Sequence, residues 1–425
     1  MSSSEDLFDQ EARSLQQLGL RDIPFSESPI GLDSQVLRKI FTGREAELRQ
    51  VFRLFQGQER RRILIYGHIG IGKSAFLLEV LSVIQRKIPE MLVSYTSLSS
   101  EPDLPTAAVI ALAQEMAEQM PNDDVAQQVL YQLGIPTGKP LKQRTSEVGA
   151  SMAIGAKISE TDQPIPELQY PAKVLDILID RAQKKFPRGV LIGIDDLDKQ
   201  LPQRIRELMN DAQGMLKGRA WYMITGHPFG IAQDLLTSER GLFDLTLELK
   251  ELEPDTRYKM LINYLNSTRI NNNCTDPNQP EAVLPFLPET ARRFCELSGG
   301  HPRRFNRLGS AVLLKAAELR VKTITPEVLA AGLDAAVLTL SQQAVLGIQA
   351  KRVFSLLQKK GSLSDETITL DDLQSVGLAS FNELVPYLER LRDADLVSQN
   401  DREEATEYKP VFLPESTAII DVSPE

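Results

Sequence analysis

The sequence predicts an α/β protein: a parallel sheet with helices on its faces, then a block of helices, then a small C-terminal unit of helices and two short strands. Three observations predict it. Between residues 41 and 252 short apolar runs alternate with helical stretches, the pattern of parallel strands joined by crossover helices. Between 253 and 340 the pattern is helical. From 341 to 425 a helix, a polar stretch, a second helix and two short extended segments follow one another. Residues 1–40 form a polar lead-in broken by Pro24 and Pro29, and 121–169 reads as an insertion in the α/β part.

Each element has its own signal. "FTGREAELRQVFRLFQ" (41–56) places Leu48, Val51, Phe52, Leu54 and Phe55 on one helical stripe. "RRILIYG" is a short buried strand, "KSAFLLEVLSVIQRK" a helix, "EMLVSYTSL" a second strand and "PTAAVIALAQEMAEQM" a second helix. "QRTSEVGASMAIGAKISETDQP" alternates small and apolar residues, as a hairpin or a loop does. Helix "PAKVLDILIDRAQKK", strand "GVLIGID", helix "PQRIRELMNDAQGML" and strands "AWYMITG" and "FDLTLELKEL" complete the α/β part. Helices are expected at 254–267, 288–298 and 302–319, and a further one at 343–359, before "SFNELVPYLERLRDADL" and the extended "VSQNDREEATEYKPVFL". Helices followed by a two-stranded wing is the winged-helix order.

Composition narrows the function. The 425 residues exceed one ordinary core, so two or three domains are expected. A net charge of −10 is not that of a polycation built for nucleic acid. Cys274 and Cys295 make no disulfide framework and lack zinc-ligand spacing, which fits a reducing, cytoplasmic compartment. The acidic N-terminus has no apolar stretch of signal-peptide type. No run approaches the ~18 apolar residues of a membrane span. No Ser/His/Asp arrangement and no His/Cys/acid cluster is visible.

One stretch carries chemistry. In "GHIGIGKS", Gly67, Gly72, Lys73 and Ser74 fit G-x-x-x-x-G-K-[ST], with a strand before and a helix after. Glycines let backbone N–H groups converge on phosphate oxygens, and the following helix turns its positive end to the same anion. The whole loop, Gly67, His68, Ile69, Gly70, Ile71, Gly72, Lys73, Ser74 and Ala75, is thus the candidate nucleotide cradle. Lys73 would reach the β- and γ-phosphates, and Ser74 would place its hydroxyl on Mg²⁺. The loop works through its backbone, so a side-chain role for His68 is not expected. "VLIGIDDLD" puts carboxylates at the end of a buried strand, where open α/β sheets bind ligands. Asp195 would orient Mg²⁺, Asp196 would polarise the attacking water, and Asp198 would cap the loop; the alternative is a solvated acidic turn. Thr225, ending "AWYMIT", either senses the γ-phosphate or fills a strand end.

These motifs, with "LSGGHPRRFNRL", resemble the AAA+ and STAND branches of the P-loop ATPases over roughly residues 20–320. Within them the sequence is similar to origin-recognition and initiator ATPases, archaeal-type STAND ATPases and transposon-encoded AAA+ regulators. "FTGREAELRQVF" is similar to the segment of that group that lies against adenine. The resemblance implies an α/β domain at 41–252, a helical lid at 253–340, a winged-helix-like domain at 341–425, and ATP with Mg²⁺ as ligands. It gives Arg303 the lid position that contacts the γ-phosphate, with Gly299 and Gly300 turning the chain and Pro302 opening the helix. It gives Arg240 the place of an arginine finger acting on the next subunit of a homo-oligomeric ring or filament, against the alternative of a surface charge. Arg304 and Arg307 would contact DNA or an acidic neighbour. Asp196 stands where many members carry Glu, which implies slow or switch-like hydrolysis.

Charge is segregated. Residues 343–425 hold eight basic and fifteen acidic side chains, whereas 291–322 hold eight basic and two acidic. The acidic C-terminal unit is better suited to a protein partner than to DNA. The basic lid suggests head-to-tail stacking of subunits or DNA threading along the assembly; a solvated basic face is the alternative. Two functions stay open: a DNA-associated assembly factor that recruits or loads another protein, and a nucleotide-gated signalling or defence switch.

Overall fold

The structure is a computed structural model that describes residue 4 and residues 13–26, 35–57, 59–98, 103–135, 170–197, 202–226, 242–271, 273–343, 347–394, 396–401 and 406–411. Two short helices, α1 (Gln35–Ile40) and α2 (Glu45–Leu54), lead into β1 (Arg62–Tyr66) and α3 (Lys73–Lys87). Next come β2 (Met91–Ser97), α4 (Leu104–Gln119), α5 (Asp124–Gln132) and α6 (Pro171–Gln183). Then β3 (Gly189–Asp195), α7 (Pro202–Asp211), α8 (Gln213–Leu216), β4 (Trp221–Gly226) and β5 (Leu245–Glu248) complete a five-stranded sheet. The pairings of that sheet are all parallel, in the order β2-β3-β4-β1-β5. This is the α/β, P-loop-type sheet expected from the strand–helix alternation.

Burial explains why these segments are strands. Every residue of β3 and of β4 is buried, as required of central parallel strands covered on both faces. One face packs against α4, α6 and α7 through Leu112, Leu178, Ile192 and Tyr222. The other packs against α2 and α3 through Val51, Phe76, Leu81 and Trp221. Gly193 lets α3 approach closely, since a Cβ there would lie 2.5 Å from a Leu81 methyl. The helix expected over 41–56 starts later, because Gly43 and Arg44 both take left-handed backbone (φ 79° and 68°) before α2. The single helix expected over 202–216 divides at Ala212, two residues before Gly214.

Beyond the sheet lie α9 (Pro254–Thr268), α10 (Pro288–Leu297), α11 (Pro302–Glu318) and α12 (Pro326–Gln343). The last of these was not anticipated from the sequence. The lead-in is woven into this helical block: Leu18, Leu20 and Phe25 are buried in one cluster with Leu265, Phe294, Phe305 and Leu313. A Cβ on Gly309 would sit 2.6 Å from the Phe25 ring. The C-terminal unit has its own core, built from α13 (Ile348–Lys360), α14 (Leu370–Ser375), α15 (Phe381–Asp393) and the antiparallel pair β6 (Val397–Asp401) and β7 (Thr406–Pro410). Gly347 opens α13 as its N-cap, so that helix begins five residues after the expected 343. Of 121–169, the described part contributes α5; the remainder, together with Asp198, His227 and Arg240, lies outside the described residues. Among the described residues no helix is long and apolar enough to cross a membrane, and no cluster of three or more His, Cys, Asp or Glu could hold a metal.

Candidate functional site

The glycine-rich loop leaves β1 at Tyr66 and ends at α3, whose N-cap is Gly72. Gly70 (φ 81°) and Gly72 (φ 96°) occupy left-handed backbone that side-chain-bearing residues rarely adopt. A Cβ on Gly67 would lie 2.6 Å from the Leu249 carbonyl oxygen, just past β5. The motif's glycines are therefore set by backbone shape and by the closeness of the neighbouring chain. Lys73 is buried, and its Nζ donates to the carbonyl oxygens of Gly67 (3.0 Å) and His68 (3.1 Å), which curls the loop around the ammonium. Ser74 and His68 are exposed, Ile69 is 40% exposed, Ile71 is buried and Ala75 is half-buried. Positive backbone at Gly70 and Gly72, the start of α3 and an inward lysine fit a phosphate chain.

The carboxylates sit two strands away, as the sheet order demands. The register sets Ile65 of β1 beside Thr225 of β4, and Ile194 of β3 beside Ile224. Thr225 therefore stands between the loop and Asp195. Its hydroxyl donates to Asp195 Oδ1 and accepts from the Asp196 N–H at 3.1 Å. Asp195 is buried, and its Oδ1 also accepts the Asp196 N–H at 2.9 Å while its Oδ2 accepts the Tyr95 hydroxyl at 3.1 Å. Asp196 has left-handed backbone (φ 64°), which turns its carboxylate to accept from the Ser97 hydroxyl. Lys73, Ser74, Asp195, Asp196 and Thr225 thus share the end of the sheet at which the parallel strands finish.

Tyr95 and Ser97 were not singled out from the sequence. The signal was present: they are two residues apart, hence on one face of β2, at its C-terminal end. Burial first, then the Asp195 carboxylate, push the Tyr95 hydroxyl above its usual range, so it stays protonated and donates. Tyr95→Phe keeps the ring and removes that donor. On the reading proposed below, in which Asp195 holds Mg²⁺, the expected outcome is a roughly tenfold rise in the Mg²⁺ concentration needed for half-maximal ATP turnover, with metal-free ADP binding unchanged. Titrating Mg²⁺ at saturating ATP checks it.

The helical block reaches the loop through "GGHPRR". The Arg303 N–H donates to the Gly70 carbonyl at 3.2 Å, and a Cβ on Gly70 would lie 3.1 Å from Arg303 Cβ. Gly300 (φ 80°) packs so tightly on Leu252 that a Cβ would lie 2.7 Å from its carbonyl oxygen, which itself accepts from Arg257 Nε. Arg304 is buried, which removes it from the DNA-contacting role expected for it. Arg293 and Lys315 pair with Glu296 and Glu318, so part of the basic face is locally compensated. Arg44, another residue whose contacts the sequence did not disclose, donates to the carbonyls of Ile71 (3.4 Å) and Lys250 and pairs with Glu47 at 3.3 Å. It clamps the loop to the exit of β5.

His301, the N-cap of α11, has its Nε2 3.6 Å from Glu251. Burial, then Arg304, lower it from an ordinary 6.5 to about 4, with His68 and Arg257 acting in the same direction and Glu251 opposing. A depressed histidine is neutral in the folded state, whereas the unfolded chain protonates first as pH falls. Its contribution to stability is therefore complete above pH 6.5 and lost progressively down to about 4. Urea unfolding across that window is expected to show a loss of about 3 kcal/mol in the wild type that His301→Gln does not share.

Residues 40–216 match the family model of the AAA ATPase domain. No curated protein matches the chain. Among solved structures, an Aeropyrum pernix ORC1 protein in complex with DNA is similar at 15% identity, covering 89% of this chain and 92% of that one, with a TM-score of 0.48. Cdc6p from Pyrobaculum aerophilum is similar at 16% identity over 92% and 94% of the two chains (TM-score 0.44). The Thermotoga maritima RuvB Holliday junction branch migration motor is similar at 13% identity over 87% and 92% (TM-score 0.41). Residues 40–216 thus match the AAA ATPase domain family, and the parallel sheet that they open, completed by β4 and β5, is of the P-loop α/β type.

Proposed function

We propose that this protein binds ATP with Mg²⁺, hydrolyses it slowly, and uses the ATP-bound state to assemble as a homo-oligomer on DNA and recruit a protein partner. The observation that carries the reading is the direct bond from the Arg303 N–H to the Gly70 carbonyl: the loop that would hold phosphate is also the loop on which the helical block rests. The backbone of residues 67–72 would cradle the phosphates, Lys73 would neutralise them, and Ser74 and Asp195 would hold Mg²⁺. Bound Mg²⁺ supplies charge neutralisation at the phosphates. Asp196, at the strand end beside Asp195, would accept the proton of the attacking water at its carboxylate. Thr225 and Tyr95 would hold the Asp195 carboxylate in position by donating to it. Arg303 would move with α11, so that a γ-phosphate in the loop biases the helical block, and Arg240 would act on the neighbouring subunit.

The C-terminal unit supports a second reading. Its eight basic against fifteen acidic side chains favour a protein partner over a phosphate backbone, as in a nucleotide-gated signalling switch. Mass photometry with ADP or a slowly hydrolysed ATP analogue, with and without duplex DNA, separates the two. Assembly that needs both the analogue and DNA supports the first. Assembly with the analogue alone, unaltered by DNA at low salt, replaces it with the second.

A further inference from the structure

Outside the nucleotide loop, the helical block and the lead-in border an open hollow of about 370 Å³. Its lining includes Arg21 from the lead-in, Lys39 from the last turn of α1, and Asn266, Arg269, Asn271 and Asn273 from the end of α9 and the loop after it. Among the described residues no carboxylate lines it. The bland account is that these cations complement a helix C-terminus. That account is too small. A helix end supplies about half a negative charge, and the Thr268 carbonyl at the end of α9 is already capped by the Arg21 N–H at 2.8 Å. Even counting α1 as well, two helix ends offset about one of the three positive charges.

The side chains are deployed unequally. Arg269 donates through Nη2 to the carbonyls of Ala282 (2.6 Å) and Leu284 (3.1 Å), so one edge of its guanidinium holds a loop in place. Arg21, Lys39, Asn271 and Asn273 are all exposed. Flexible point charges interleaved with amides, on an open and almost wholly polar wall, do not resemble the enclosed apolar pocket that buries most of a small molecule. They resemble the donors that hold a nucleic-acid backbone by its phosphates and sugars.

We propose that this hollow is a docking site for the phosphodiester backbone of nucleic acid, with Arg21 and Lys39 as its phosphate contacts. The proposal rests on the DNA reading above and locates the contact at the junction of lead-in, α1 and α9 rather than on the acidic C-terminal unit. It also accounts for how a chain of net charge −10 would approach a polyanion: through a local cationic hollow.

The test is fluorescence anisotropy with a labelled duplex over a salt series, in the presence of the ATP analogue, for wild type, Arg21→Ala/Lys39→Ala and a control, Lys217→Ala/Lys359→Ala. Arg269 is left intact because it holds the 282–284 loop. The double variant is expected to lose at least tenfold in affinity near 50 mM salt, and its slope of log K against log salt should fall by about 2. The control should keep both, and DNA-free ATP turnover should match wild type in all three proteins. Wild-type binding that survives the double substitution with its slope intact overturns this site and leaves the DNA reading standing. No binding by wild type at low salt overturns both. Displacement of the duplex by inorganic phosphate, beyond that by chloride at matched ionic strength, marks a small-anion pocket and overturns the assignment to a phosphodiester.

Discussion

Lys73→Met is expected to abolish the ATP-induced rise in thermal stability while leaving the ligand-free protein about as stable as wild type. Lys73 is a buried cation whose ammonium is held by two loop carbonyls. Replacing a buried charge with an apolar chain of similar length is often neutral, because the desolvation penalty goes with it. The exposure of neighbouring His68 gives water a route to a carbonyl left without its donor. Binding behaves differently. Charge-assisted hydrogen bonds contribute about 1.5–3 kcal/mol each, so losing the ammonium from the phosphates should weaken ATP by roughly 100-fold or more. At ATP one hundred times its wild-type Kd, the stabilisation removed is about 2.3–2.7 kcal/mol, or about 5–10 °C for a domain of some 200 residues. Scanning calorimetry with and without MgATP reads both quantities. An undiminished ATP shift in the variant would place the nucleotide elsewhere.

The second large effect lies far from that loop. Phe25→Ala is expected to cost about 3–5 kcal/mol, the usual penalty for emptying an aromatic site in a packed core. Phe25 is 4% exposed, stacks on Tyr264 at 5.5 Å and meets Phe305 edge-on at 5.6 Å. Gly309 lies against its ring and has no side chain with which to fill the gap. Because α11 begins at the loop and continues through this cluster, loosening the cluster should also weaken the ATP response. Urea unfolding measures the loss. A change below about 1 kcal/mol would mean that the lead-in is dispensable to the helical core.

What could be read from the sequence, and what could not, follows a physical division. The glycine-rich loop was legible because its backbone conformation restricts which residues can stand there: Gly70 and Gly72 are consequences of φ. The buried strands were legible because both faces of β3 and β4 are covered, which forces unbroken apolar runs. Arg44 was not, since its bond to Lys250 joins positions 206 residues apart, and its left-handed backbone belongs to a residue that gives no such signal. The lead-in looked polar because Leu18, Leu20 and Phe25 follow neither a helical nor a strand period; they are buried by an irregular path across other helices. Arg304 read as a surface charge because long basic side chains usually are. The tight turn at Gly299 and Gly300 is what draws it inside.

The threading of residues 13–26 through the helical block also bears on how the chain is made. Phe25 leaves the ribosome ahead of its partners Phe294 and Phe305, which follow only about 270–280 residues later. At synthesis rates of about 5–20 residues per second, that apolar segment waits roughly 15–60 s for its core. The ATPase sheet can close during this interval while the helical block cannot. The nascent lead-in therefore carries exposed apolar side chains until the helical block has been made.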